Sequence, residues 1–262
     1  MRAQIRHLTI VAALVVASGF VAWPASAETT ICTAVTPPAT ISSQGIYCLK
    51  QNAVVSITTG PAIQINANNV VLDLNGWTLR TNVPAGTDVS GTVGILIGSS
   101  RQRVTIRNGT IRGFGDGVGV GGTGSAPGLT GHIIEDLRVV DSVFEGINLP
   151  FGEGDVIQRN LVLNTGVGSP SSSTVNVAGI TGGSLATVHN NDVVGVSANI
   201  AIGINAGGAA VVNNRIKDVS GTLFGVGINC IGTAALRDNI VLGAAPGPAY
   251  SPSCQLLGNN NF

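Results

Sequence analysis

Two patterns of apolar and polar positions interleave along most of this chain. In the first, a Gly is followed directly by Ile or Val, at Gly94-Ile95, Gly117-Val118, Gly146-Ile147, Gly179-Ile180, Gly203-Ile204 and Gly227-Ile228, with Ala62-Ile63 as an earlier partner. In the second, apolar residues flank a variable position: Leu74/Trp77/Leu79, Ile106/Gly109/Ile111, Ile134/Leu137/Val139, Ile157/Asn160/Val162, Val188/Asn191/Val193, Val211/Asn214/Ile216 and Leu236/Asn239/Val241. Neighbouring residues alternate, as in Val93, Ile95, Ile97 and Ile200, Ile202, Ile204. A period of two is the mark of a strand with one face inward. The flanked position reads as strand, bend, strand. Each repeat therefore predicts about three short strands, and repeats of this length predict a solenoid whose stacked turns bury one continuous core. The expected fold is all-β, a parallel β-helix of about seven coils.

The rest of the chain frames that array. Gly/Ser/Thr/Pro stretches around residues 81–92, 121–130 and 165–175 read as surface loops. Residues 28–60 and 243–262 leave the pattern and read as N- and C-terminal caps around a β-helix at 61–242, since an open coil exposes unpaired strand edges. Residues 1–27 read as an export signal: Arg2 and Arg6, an apolar stretch at 8–23, and the small-residue site Ala25-Ser26-Ala27. That stretch is short beside the roughly 20 residues of a membrane span. The expected location is secreted or periplasmic, with no membrane span after cleavage.

Export changes the meaning of the cysteines and of the charge. The four Cys are expected in disulfides, for which three pairings exist. Cys32–Cys48 and Cys230–Cys254 are favoured because each pair brackets one end of the array. No CxxC spacing is present, which argues against zinc or a redox dithiol. Loss of Arg2 and Arg6 leaves 11 Lys+Arg against 13 Asp+Glu, a net charge of −2. That gives no electrostatic footprint for nucleic acid.

Stacking also predicts neighbours, because equivalent residues on adjacent coils lie about 4.8 Å apart. Asn160, Asn191, Asn214 and Asn239 predict an internal ladder. The Gly row reads as a corner needing a permissive φ, or as a floor where a ligand nears the backbone. The outward position two residues later is neutral: Leu96, Gly119, Asn148, Thr181, Asn205, Asn229. Arg107, Glu135, Gln158 and His189 form another row, predicting Arg107–Glu135 and Asp192–Arg215 contacts.

Two pairs carry candidate chemistry. Asp116 and Glu145 precede Gly117 and Gly146, so two carboxyls share one corner. They offer oxygen ligands to calcium, or an acid and a base if one pKa is raised. His132 and Asp155 precede Ile134 and Ile157 by two in an otherwise apolar row of Leu72, Val104, Ala186, Ala209 and Ala234. Such a pair orients an imidazole for proton transfer, or is a buried structural pair.

The segments VVLDLNGWTL (70–79), VTIRNGTIRGF (104–114) and ICTAVTPPATISSQGIYC (31–48) resemble bacterial exported β-helix repeat proteins of the pectate-lyase-like superfamily. The resemblance implies a single-stranded, right-handed parallel β-helix. It does not imply one activity, because such folds host lyases, hydrolases, epimerases and adhesins. Arg215-Ile216-Lys217 matches a tripeptide of polygalacturonases, but their Asn-Thr-Asp, Asp-Asp and Gly-His-Gly companions are missing. The Asp-Pro-His-Glu signature of alginate epimerases is missing too. The leading expectation is a structural role or binding to polysaccharide or the cell envelope, with no cofactor. The alternative is a polysaccharide lyase or related enzyme acting on uronate glycans, with calcium as its expected cofactor and a site drawn from Asp116, Glu145, His132 and Asp155.

Overall fold

The computed structural model describes residues 29, 31–83, 88–122, 130–166 and 176–262. The export-signal reading lies outside these residues, as do the centres of the three loop readings at 84–87, 123–129 and 167–175. Every element among the described residues is a strand, and none is a helix long and apolar enough to cross a membrane.

The strands pair in three parallel ladders. The first runs from Gly45–Cys48 to Val70–Asp73, then through the starts of Val104–Arg112 and Ile133–Val140. It continues through Val156–Gln158, Thr187–His189, Ala210–Val212, Ala235–Arg237 and Gln255–Leu256. The second links Ala39–Ile41, Thr59–Ile65, Gly91–Ile97, Asp116–Val120, Glu145–Leu149 and Asn176–Gly182. It ends in the later parts of the long strands Asp192–Gly207 and Arg215–Ile231. The third links Ala53–Val55, Thr78–Thr81, the later parts of Val104–Arg112 and Ile133–Val140, and Leu161–Thr165. It then takes in the starts of the two long strands and Ile240–Ala245. The ladders thus run into both terminal segments, where Tyr250 also bridges Ile228 and Asn261 bridges Ile240.

Each ladder turns one column of side chains into a common core. Ile106, Ile134, Ile157, Val188, Val211 and Leu236 come from the first, and Ile95, Val118, Ile147, Ile180, Ile204 and Ile228 from the second. Ile111, Val139, Val162, Val193, Ile216 and Val241 come from the third, and all eighteen are buried. Full burial of one such side chain contributes about 1.5–3 kcal/mol. The bend between the first and third ladders is made by Asn108, Asp136, Arg159, Asn190, Asn213 and Asp238, all with φ between 53° and 58°. Asn and Asp enter this left-handed region more readily than other non-glycine residues, which explains their dominance here.

The residue after each bend holds the Asn ladder. Asn191 Oδ1 accepts from both N and Nδ2 of Asn160 at 2.9 and 3.0 Å, and Asn214 Oδ1 does the same for Asn191. Asn239 repeats this for Asn214. Each Nδ2 also donates to a carbonyl of the preceding period, such as Ile157 O at 2.9 Å. The ladder extends one member beyond the sequence pattern, to Asn260, whose Oδ1 accepts from Asn239 at 3.1 Å.

Three expectations are corrected. Leu72, not Leu74, faces Ile106, while Leu79 faces Ile111 as expected. This period carries two extra residues, absorbed by a tight turn in which Trp77 N donates to Leu74 O at 2.8 Å and Asn75 and Gly76 take positive φ. Val70, rather than Leu72, therefore stacks on Val104 in the His132 row. Second, the Gly row is neither a positive-φ corner nor a floor open to a ligand. A Cβ on Gly146 would stand 2.5 Å from Val162 Cγ1 and 2.6 Å from Gly179 O, and one on Gly179 2.4 Å from Val193 Cγ1. Side chains of the third ladder fill the space a Cβ would need. Third, Arg107 does not reach Glu135. Its Nε pairs with Asp73 Oδ2 at 3.0 Å, while Glu135 accepts from Gln158 and Arg159. The Asp192–Arg215 pair is present, with both carboxylate oxygens engaged at 2.9 Å.

Disulfides join Cys32 to Cys48 and Cys230 to Cys254.

Candidate functional site

The second ladder presents its outer face through two rows. One contains Val93, Asp116, Glu145, Ala178, Ile202 and Val226, in register from strand to strand, of which Ala178, Ile202 and Val226 are buried in a small apolar cluster. The other, three residues later on each strand, contains Leu96, Gly119, Asn148, Thr181, Asn205 and Asn229 in the same register. The Asp116 and Glu145 strands are held at this spacing by backbone pairing, so their carboxyls meet without any contribution from loops.

Asp116 Oδ1 accepts from the backbone N of Glu145 at 3.1 Å, and its Oδ2 lies 3.5 Å from Asn148 Nδ2. Burial lifts the Asp116 carboxyl to about 6, and those two hydrogen bonds offset part of the rise. Glu145 is pushed further, to about 8, first by burial and then by the neighbouring Asp116 charge. Thr181, buried on the neighbouring strand, moderates the rise, although neither Glu145 Oε2 nor Thr181 Oγ1 completes a hydrogen bond of good geometry. Desolvation and a like charge both favour the neutral form, so at neutral pH Glu145 keeps its proton while Asp116 is largely ionised. Two carboxyls with separated pKa values can donate and accept a proton side by side.

The other candidate pair lies in the core. His132 and Asp155 are both fully buried. The backbone N of His132 and the Thr130 hydroxyl donate to Asp155 Oδ1, at 2.8 and 2.7 Å. His132 Nδ1 accepts from Val104 N at 3.3 Å. Its Nε2 and Asp155 Oδ2 have no partner. Burial holds the imidazole pKa down and the carboxyl pKa up. These side chains tie adjacent periods together inside the first ladder, away from any outer surface. The four candidates therefore form two separate pairs, and no group of three or more His, Cys, Asp or Glu gathers among the described residues. As calcium ligands, Asp116 and Glu145 have only neutral oxygens beside them, from Asn148 and Thr181.

One polar cluster was not legible in the pattern. Asp73 is buried and accepts from Asn75 N, Asn108 Nδ2, Arg107 Nε and the Thr29 hydroxyl. With Arg107, Asn108, Glu135 and Asp136 it lines an open depression of about 290 Å³. Its oxygens are fully engaged, which makes it a structural hub. The only signal in the sequence was an Asp at an interior-facing strand end.

Comparison with protein-family models, with curated proteins and with solved structures returned no match to this chain.

Proposed function

We propose that the three ladders close into a single-stranded, right-handed parallel β-helix of the pectate-lyase-like kind, exported from the cell, whose outer face on the second ladder binds polysaccharide. The observation that carries the reading is the row of Asn148, Thr181, Asn205 and Asn229, held in register on consecutive strands. It offers the amides of Asn148, Asn205 and Asn229 on strands about 4.8 Å apart, with Thr181 buried among them, and Asn229 Nδ2 donates to Asn205 Oδ1 at 2.8 Å, which fixes their orientation. Two disulfides and the absence of a long apolar helix among the described residues are consistent with an extracellular or periplasmic location. The test is affinity electrophoresis through gels containing neutral, acidic and amino polysaccharides. Retardation by at least one glycan is expected, and the double substitution Asn205→Ala/Asn229→Ala should weaken it about ten-fold or more, at roughly 1 kcal/mol per lost hydrogen bond. No retardation by any glycan would defeat the proposal.

The Asp116–Glu145 pair favours a second reading, a polysaccharide lyase or related carbohydrate-active enzyme in which Asp116 takes a proton and Glu145 gives one. A spectrophotometric assay for unsaturated products on uronate glycans, with and without added calcium, tests it. Turnover that Glu145→Gln abolishes would support this reading, and no product on any substrate would remove it.

A further inference from the structure

The last layer of the core is built like the others but left uncovered. Ile228, Leu236 and Val241 supply one residue from each ladder, and all three are buried. The next layer holds Tyr250, which bridges Ile228, and Leu256, which pairs with Leu236. Its third member is Phe262, which follows Asn261 as Val241 follows Ile240, the bridge partner of Asn261. The rings of Tyr250 and Phe262 touch, with centroids 4.4 Å apart. Burial fails at this layer: Leu256 is 44% exposed and Phe262 41%, against 0% for Leu236 and 3% for Val241. Ile240, Leu242 and Leu257, in the same terminal segment, are exposed as well. Scattered apolar residues on a surface are ordinary, whereas a group of them at one place marks an interaction site. The opposite end is finished differently. There Ala39 stacks on Ile63 and Ala53 on Leu79, and Val35, Ile41, Leu49 and Val55 are all buried.

Charge and backbone point to what covers it. Residues 219–262 contain two charged side chains, Arg237 and Asp238, and these pair with each other at 3.3 Å. A strongly charged partner therefore gains nothing here, and an identical surface meets no like charge. Pro246, Pro248 and Pro252 withhold backbone donors on both sides of Tyr250. A second molecule thus finds no intact edge on which to continue the second ladder head to tail. The buried small residues of the opposite end give it no matching apolar layer either. The surface that matches this apolar layer is the same layer on another copy. A two-fold axis through such a self-complementary patch closes at two chains.

We propose that two copies of this chain associate through this end, with Tyr250, Leu256 and Phe262 of one packed against the same residues of the other about a two-fold axis. The contact is the width of one core layer and its rim, which is at the small end of specific interfaces. The dimer is therefore reversible and dissociates on dilution through the micromolar range. It leaves the outer faces of the ladders free.

Sedimentation equilibrium of the full chain, over a concentration series reaching the millimolar range, tests this. The mean mass should rise from one chain to two and stop there. Phe262→Glu and Leu256→Glu should each raise the dissociation constant at least about thirty-fold, as the loss of an interface anchor does. Val54→Glu, at a residue 46% exposed on the first strand of the third ladder, should leave it unchanged. A single-chain mass at every concentration would overturn the proposal, as would a dimer that survives both substitutions. A series of trimers and larger forms would also overturn it, because a head-to-tail contact does not close. Loss of the dimer in Val54→Glu would do the same by moving the contact to the other end. The wild-type series decides between one chain, two and many even if a variant does not fold.

Discussion

A single Asn191 side chain serves three neighbours. Its Oδ1 accepts from N and Nδ2 of Asn160, and its Nδ2 donates to Ile157 O and Asn214 Oδ1. Asn191→Ala leaves two donors and a carbonyl unpaired in a dry interior, and each costs about 1–3 kcal/mol. A loss of about 3 kcal/mol or more is expected in urea unfolding, with the m-value unchanged. A loss below about 1 kcal/mol would mean that water replaces the amide. The ladder was legible in the sequence because Asn recurs at one fixed place in the apolar spacing. Asn260 was not, because its apolar flanks are missing. Glu145 sets a different kind of dependence. Its folded pKa, about 8, stands above its ordinary value of 4.5, so the folded protein holds a proton that the unfolded chain releases. That contribution to stability is complete below about pH 4.5 and is lost as pH rises towards 8. Glu145→Gln should therefore gain stability relative to wild type as pH is raised from 5 to 8, by a few degrees in Tm or more. Using the difference between the two proteins removes the opposing effect of His132, whose depressed pKa favours the fold at higher pH. A Tm difference that does not change with pH would contradict the burial of this carboxyl.

At the level of the strand, the Gly row taught the most. The sequence shows Gly before Ile95, Val118, Ile147, Ile180, Ile204 and Ile228 of the second ladder, and Gly's usual role as a flexible hinge suggests a corner. The cause is instead the β-branched column of the third ladder, whose methyl groups occupy the space above each Gly. A pattern within one strand cannot reveal a neighbour supplied by another. Gly146→Ala should accordingly destabilise by about 1–3 kcal/mol or more, as overpacked cores do. Gly119→Ala, on the same ladder but with its nearest atom at 3.4 Å, should stay within about 0.5 kcal/mol. Denaturant midpoints for the two variants check the contrast, and equal losses would refute the steric account. Register failed at one place only, where the extra pair at Asn75-Gly76 shifted Leu74 out of the column. Spacing alone could not expose that shift, because Leu72 and Leu74 are equally apolar.

On the scale of the molecule, the parallel all-strand arrangement and its three inward columns could be read from periodicity, since both follow from side-chain alternation repeated at a steady interval. The site could not. Asp116 and Glu145 were visible as neighbours, but that burial would separate their pKa values, and that His132 and Asp155 would be sealed inside, depends on which face each row takes. A further property follows from the ladders' strict pairing. Asn191 and Asn214 are 23 residues apart and are joined by the same two bonds that join Asn160 and Asn191 across 31. Spacing may vary while register does not. Excising residues 192–214 as a block would bring Arg215 into the place of Asp192 and pass the Asn191 hydrogen bonds on to Asn239. Each period is a unit that meets its neighbours through the same bonds, so a gene encoding it can grow or shrink by duplication without inventing a new contact.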